Sequence, residues 1–315
     1  MKPIHRLIRP YIWWELPGWS RLYEHLVGDF RRDKDWAREP PRIIVGKLHG
    51  YQVKLELSQW SERMTYFLGR FYDIETQLLM SQVLMAGDRF VDIGANIGMI
   101  SLLGAKLVGR TGVVDAFEPN PGCVARLCSF IADNAIENVR VHPIALGSTT
   151  SIMALWVPRI NWGGGTLGRI DPNDANGPCD VIDVPVEFAD ARLAADQRPP
   201  VLIKIDVEGY EHQVLVGLAE TITRHRPLIT TEVIAAHLAR SGHSVADLFQ
   251  LMREYGYEAR SLIERRHGFG HRLELGEAHD RNHTRDVLWV PTDGPNRIRL
   301  ENAVQMDRHR RSILR

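Results

Sequence analysis

Residues 90–98 read Phe90-Val91-Asp92-Ile93-Gly94-Ala95-Asn96-Ile97-Gly98. Arg89 to Asp92 forms a short strand and Ile97 to Val108 an apolar helix, so the glycines fall at a strand-to-helix junction. Glycine there lets the chain turn tightly and lets a ligand touch backbone. Two details narrow the ligand. Asn96 stands where a G-x-G-x-x-G dinucleotide fingerprint has its second glycine, and a pyrophosphate needs that bare position at the helix N-terminus. Asp92, on the strand before the loop, repels phosphate and suits a ligand with a cationic amino-acid end.

Downstream, strands and helices alternate. Gly112 to Phe117 is a strand ending in Phe117-Glu118-Pro119-Asn120. Asn120-Pro121 opens a helix, with a good N-cap and proline at the first helical position. Val124, Leu127, Cys128 and Ile131 recur on one side of that helix, which predicts a buried face with Cys128 in the core. Glu118 is placed to accept both ribose hydroxyls of a nucleoside cofactor, in NAD or in S-adenosylmethionine. Capping the helix is its alternative role, although Asn120 already fills the cap.

Val139 to Ile144 is a third strand, and Val201 to Ile205 a fourth, apolar on both faces except at Lys204. That pattern marks a central parallel strand. It runs into Ile203-Lys204-Ile205-Asp206-Val207-Glu208-Gly209-Tyr210-Glu211. Burying Lys204 and Asp206 without partners is costly, so they pair in a structural ion cluster or serve a site. Ligands of open α/β sheets bind outside the carboxyl ends of strands, which favours the site. After Gly209, Val214, Leu218 and Ile222 predict one helix. Leu228 to Thr231 and Asp286 to Pro291 are further strands, and Ser244 with Asp247 makes a capping box between them. Strands alternating with helices signal a parallel sheet covered on both faces.

The flanks are less regular. Residues 1–40 read as a helical preface carrying Tyr11, Trp13, Trp14, Trp19 and Tyr23 among Arg6, Arg9 and Arg21. The adopted reading docks those aromatics on the domain; contact with a membrane surface is the alternative. Residues 42–58 alternate as a hairpin turning at Gly46 and His49-Gly50. Residues 147–190 interrupt the rhythm with Asn161-Trp162-Gly163 and Asp171-Pro172-Asn173-Asp174. They predict extra short strands and a loop over the site. His267, His271, His279 and His283 fit no zinc spacing and predict an exposed hairpin loop.

Composition bounds the function. Lys plus Arg and Asp plus Glu are 39 each in 315 residues, which argues against a polybasic nucleic-acid or membrane coat. The longest apolar stretch, Phe90 to Val108, contains Asp92, Asn96 and Lys106, so no transmembrane segment is expected. Charges at Arg6, Arg9 and Glu15 leave no signal-peptide apolar region. Three cysteines without a CxxC exclude a disulfide framework and a cysteine zinc site, pointing to a reducing, cytoplasmic setting.

Taken together, Phe90 to Gly98, Phe117 to Asn120, Pro143-Ile144-Ala145-Leu146-Gly147 and Ile203 to Gly209 resemble the FkbM-type methyltransferases. Val214-Leu215-Gly217, Arg226-Pro227, Glu232 and Asp286-Val287-Leu288 extend the likeness, which runs from about Ile74 to Pro291. Where the family usually has Leu-Asp-Asp, this chain has Phe188-Ala189-Asp190, which puts any role of the first aspartate in doubt.

The resemblance implies a class I (Rossmann-like) α/β fold: a doubly wound, mostly parallel sheet with a late antiparallel strand. It implies an N-terminal helical and hairpin extension over 1–70, a methyltransferase domain over 71–294, and a basic tail over 295–315. Asp92, Gly94, Asn96, Gly98, Glu118, Asn120 and Ala145 are the expected cofactor residues, for S-adenosylmethionine. The implied reaction is transfer of a methyl group to a hydroxyl of a glycan, glycolipid or natural product, whose site the preface 1–40 and the loop 147–190 are expected to line or flank, with Trp156 and Trp162 as candidates to stack on sugar faces. An alcohol is a poor nucleophile until a base takes its proton. Lys204, Asp206, Glu208 and Glu232 are the catalytic candidates, with Asp206 as base or as orienter of the base. No resident metal is assigned; a divalent cation held by Asp206 and Glu232 is the secondary scheme, and His237 fits either. The rival classes are an NAD-dependent oxidoreductase, disfavoured by Asn96 and Asp92, and a non-catalytic cofactor-binding module, disfavoured by the intact Asp206-Val207-Glu208-Gly209.

Overall fold

The computed structural model describes residues 1–159, 163–168, 178–267, 270–280 and 286–309. The preface is helical: α1 (Pro3–Trp13), α2 (Trp19–Leu26) and α3 (Asp33–Trp36). Strands β1 (Arg42–Val45) and β2 (Gln52–Leu55) form the expected hairpin, and α4 (Trp60–Leu68) and α5 (Ile74–Val83) follow. The alternation then runs β3 (Arg89–Ile93), α6 (Met99–Val108), β4 (Val113–Phe117), α7 (Pro121–Asp133) and β5 (Val139–His142). Strands β6 (Ala145–Gly147), β7 (Ser151–Pro158) and β8 (Cys179–Phe188) make a separate small sheet, ordered β6-β8-β7. The chain returns through α8 (Ala189–Leu193), β9 (Pro200–Ile205), α9 (Glu211–Gly217), α10 (Ala219–His225), β10 (Leu228–Thr231), α11 (Ala235–Arg240) and α12 (Val245–Glu254). A long hairpin of β11 (Tyr257–His267) and β12 (Gly270–Glu277), then β13 (Val287–Pro291) and α13 (Pro295–His309), complete it.

The main sheet is ordered β12-β11-β13-β10-β9-β3-β4-β5. Strands β5, β4, β3, β9 and β10 are parallel, and β13 is antiparallel to both of its neighbours, as the late strand predicts. The chain leaves β3 toward β4 and β5, then returns to β9 on the other side. The order therefore reverses between β3 and β9, and a crevice opens there at the strand ends. Side chains alternate across the sheet. Phe90, Leu202 and Leu228 join the preface, α5 and α6 in one core; Val91, Ile203 and Ile229 join α8 to α12 in the other.

Three expectations need correction. Helix α7 buries Cys123, Leu127 and Phe130, and Cys128 is exposed. Both stripes share Leu127, and burying a phenyl ring removes more apolar surface from water than burying a thiol does. The single helix expected after Gly209 is broken at Leu218, because Asp190 accepts the N–H groups of Glu220 and Thr221 at 2.7 and 2.9 Å and caps α10 as a new start. His271 lies within β12 and is largely buried, its Nδ1 2.8 Å from Glu264 and its Nε2 2.9 Å from Glu15. Glu15 also receives Arg70 at 2.7 Å and Lys47 at 2.6 Å. Asn161, Trp162, Asp171 to Asp174 and His283 lie outside the described residues, as does the tail beyond residue 309.

Candidate active site

β3 ends at Ile93 and the chain turns tightly over the end of β9. Gly94 has φ +81°, and a Cβ there would stand 1.8 Å from the Asp206 carbonyl oxygen, so only glycine fits. Asn96 has φ +52°, a conformation asparagine tolerates better than most residues. Its Oδ1 accepts the Ile97 N–H at 2.7 Å and its Nδ2 donates to the Gly163 carbonyl at 3.2 Å. The side chain thus ties the segment 163–168 to the loop, which glycine cannot do. Gly98 begins α6 and packs on Leu127, away from the cavity described below.

Strand register sets Asp92 beside Lys204 across the point where the order reverses. The Lys204 ammonium donates to the Gly94 carbonyl at 3.2 Å and lies 3.5 Å from Asp92 and 3.2 Å from Asp206. Ser101 donates to Asp92 at 2.6 Å. Burial raises the Asp92 carboxyl against the pull of Lys204. Burial also works against the Lys204 ammonium, but Asp206 and Asp92 outweigh it and raise its pKa. Asp92 is wholly buried, whereas the Asp206 side chain is 39% exposed. Lys204 and Asp92 therefore lock the loop from below, and Asp206 is the member that faces outward.

It faces a cavity of about 220 Å³ above the sheet's carboxyl edge. Gly94, Asn96, Glu118, Asn120 and Ala145 line its wall together with Lys204, Asp206, Glu208 and Glu232. Asp92 and Gly98 lie behind that wall. Glu118 accepts the N–H groups of Asn96 and Asn120, each at 2.8 Å, so it does brace the turn as the capping alternative has it, while also lining the cavity. Burial lifts it to about 7, against those two donors.

In the turn after β9, Glu208 has φ +55° and Gly209 φ +108°. This turn is held by Thr166, whose hydroxyl donates to the Glu208 carbonyl at 2.7 Å, and by Glu211, which accepts the Val207 and Gly209 N–H groups at 3.2 and 3.1 Å. His237 on α11 places Nδ1 3.1 Å from Glu208 and 3.5 Å from Glu232. Those carboxylates raise it to about 9 and keep it an imidazolium at neutral pH. Burial and the nearby Asp206 raise Glu232 to about 7. Ligand atoms of Glu208, Glu232 and His237 all lie within 4.8 Å of one another, the one such trio among the described residues.

The rest of the wall follows expectation in part: Gly163, Gly165 and Leu167 of the 147–190 segment line it. Trp60, Thr65 and Tyr72 contribute to it, and no residue of the preface 1–40 does. Leu155 lines it, and its neighbour Trp156 does not. Around Trp60 the sequence carries only helix-start chemistry, so no local pattern marks a wall that exists once α4 docks.

A parallel sheet whose order reverses beside a glycine loop, with an acid ending the second strand and an antiparallel strand inserted late, is the class I, Rossmann-like methyltransferase fold. The family model of the methyltransferase FkbM domain matches residues 92–259. The chain belongs to this family, the S-adenosylmethionine-dependent FkbM methyltransferases, which decides against the NAD-dependent oxidoreductase. Among solved structures it is similar to methyltransferase FkbM from Methylobacillus flagellatus KT, at 18% identity over 86% of this chain and 60% of that one, with a TM-score of 0.38. It is also similar to fibrillarin from Aeropyrum pernix with natively bound S-adenosyl-L-methionine, at 11% identity over 68% and 72% of the two chains and a TM-score of 0.39. A precorrin-6y C5,15-methyltransferase from Geobacter metallireducens GS-15 stands at 11% identity, 70% and 88% coverage and a TM-score of 0.39. No curated protein matches the chain.

Proposed function

We propose that this methyltransferase acts on oxygen, at a hydroxyl of a glycan, glycolipid or natural product. The observation that carries the reading is the meeting of Asp206, Glu208, Glu232 and His237 on the wall of the cavity that the glycine loop and Glu118 also line. The cavity suits S-adenosylmethionine, because Glu118 is a buried acceptor for ribose hydroxyls and the surrounding acids favour a cationic ligand. Gly94, Asn96, Glu118, Asn120 and Ala145 would hold it, with Asp92 supporting the loop from behind. When bound, the cofactor supplies an electrophilic methyl group.

The protein's part is to align an acceptor and to take its proton. Glu232, raised to about 7, is matched to a base working near neutrality. Asp206, held 3.2 Å from Lys204, orients the acceptor or shares the proton. Protonated His237 fixes Glu208 and Glu232 in place. Trp60 and Tyr72 offer flat apolar surface to a sugar or a ring system. Free Cys123 and Cys128 support a reducing, cytoplasmic setting.

The test measures transfer of labelled methyl from S-adenosylmethionine to a panel of hydroxylated acceptors. Asp206→Asn and Glu232→Gln are expected to lose transfer and keep S-adenosylhomocysteine binding. Cofactor binding without transfer to any oxygen acceptor would return the chain to a non-catalytic module. A second reading rests on the trio of Glu208, Glu232 and His237, a donor set of oxygen and nitrogen that suits a divalent cation. Its members differ from the Asp206 and Glu232 pair expected from sequence. Loss of transfer in a chelator, restored by added magnesium or manganese, would establish it.

A further inference from the structure

Helix α1 is apolar on two sides. Ile8 and Ile12 are buried in the core, whereas Ile4, Leu7, Tyr11 and Trp14 are 40, 76, 38 and 65% exposed. Spaced by three, four and three residues, the exposed four form a single outward stripe running past the helix end. Helices on protein surfaces ordinarily turn charged or polar residues outward along such a stripe. The charges that the helix itself carries, Arg6 and Arg9, are positive, and the acid beside its start, Glu39, is taken up by the Met1 ammonium. Lys2 at the N-cap and Arg6 on the helix are exposed, Arg21 is exposed on α2, and none of the three forms an ion pair among the described residues. Residues 1–14 contain no Asp or Glu. The first acid, Glu15, is buried against Arg70 and Lys47, so it neutralises nothing on this face.

We propose that this face of α1 is a docking surface for an anionic lipid bilayer, with the helix lying in the headgroup plane and Leu7 and Trp14 inserted. Helices that lie in a membrane interface combine an apolar stripe with Lys and Arg and little negative charge. Tryptophan and tyrosine settle at headgroup depth, where one end of the ring stays wet. Charge selects the bilayer over a second copy of the chain. Two such stripes brought together would crowd Lys2 and Arg6 of both copies, whereas anionic lipid neutralises them. The surface also stands in a useful place. Helix α1 packs on α4, and Trp60 and Thr65 of α4 line the cavity, so docking would hold the cavity about one helix thickness, ~10 Å, from the headgroups. The docking needs no particular acceptor and does not rest on the proposed oxygen chemistry.

Flotation of the full chain with phosphatidylcholine vesicles containing about one-third phosphatidylglycerol tests it. At low salt the chain is expected to float with the vesicles and to stay down with phosphatidylcholine alone. The double variant Leu7→Glu, Trp14→Glu is expected to lower the partition coefficient about tenfold or more, with an unchanged circular dichroism spectrum. Lys2→Gln with Arg6→Gln is expected to weaken binding severalfold and to flatten its dependence on salt. Equal flotation of wild type and Leu7→Glu, Trp14→Glu would overturn the proposal. So would a wild-type dimer that this double variant dissociates, with no protein on the vesicles, because the occupant would then be a second copy.

Discussion

Glu118 exchanges water for two backbone N–H groups, and burial still lifts it to about 7. Each of its oxygens keeps a lone pair for a ribose hydroxyl. Glu118→Ala is expected to weaken S-adenosylhomocysteine binding by about 10–100-fold, as calorimetry would measure, since it removes charged acceptors from a buried site. Glu232 and His237 act on the proposed reaction in opposite senses as they lose their protons. Under the proposed reaction, transfer rises with pH as Glu232 loses its proton near 7, and falls as His237 loses its own near 9 and releases the two glutamates. A pH-rate profile checks both limbs, and Glu232→Gln should abolish the rising one. Sequence reading named both glutamates from their strand-end positions. It gave His237 little weight, because a single histidine on a helix carries no sign of the carboxylates that folding brings to it.

The turn between β9 and α9 is built from unfavourable parts. Glu208 and Gly209 both have positive φ, and Glu211 lies beneath them with its carboxyl raised to about 8 by burial. A folded-state value above the ordinary 4.5 means that the proton is bound more tightly in the native state. Its stabilising contribution is therefore full below pH 4.5 and lost as pH rises through 8. Glu211→Gln should flatten the fall of the urea midpoint over that window while sparing the turn. Gly94→Ala should act differently: with a Cβ 1.8 Å from the Asp206 carbonyl, the loop or β9 must move, so cofactor binding is lost even if the chain folds. Equal S-adenosylhomocysteine affinity in that variant would contradict the close approach. These turns were legible as motifs because buried parallel strands are unbroken apolar runs that end abruptly in polar residues. The buried side of α7 was ambiguous for the converse reason, since two stripes through Leu127 satisfy the same periodicity.

Across the molecule, the preface is joined to the rest of the chain by buried polar anchors as well as by apolar packing. Arg63, with no exposed surface, reaches Asp33 and the carbonyls of Gly28, Asp29 and Leu57. Arg63→Ala strands the Asp33 carboxylate and should cost about 3–5 kcal/mol of unfolding free energy, read from urea titration. The alternation of strands and helices was legible because it repeats locally. How α4 docks to wall the cavity was not, because it depends on contacts between segments far apart in the chain. Glu15 is the smallest example of such a long-range tie: one carboxylate faces Lys47, Arg70 and His271, drawn from the hairpin, the approach to α5 and the sheet's outermost strand. Anyone shortening this protein at residue 40 would leave two cations and a histidine crowded together with their counter-ion gone. The opening segment thus behaves as a keystone rather than a detachable leader, and trimmed versions should melt early or clump.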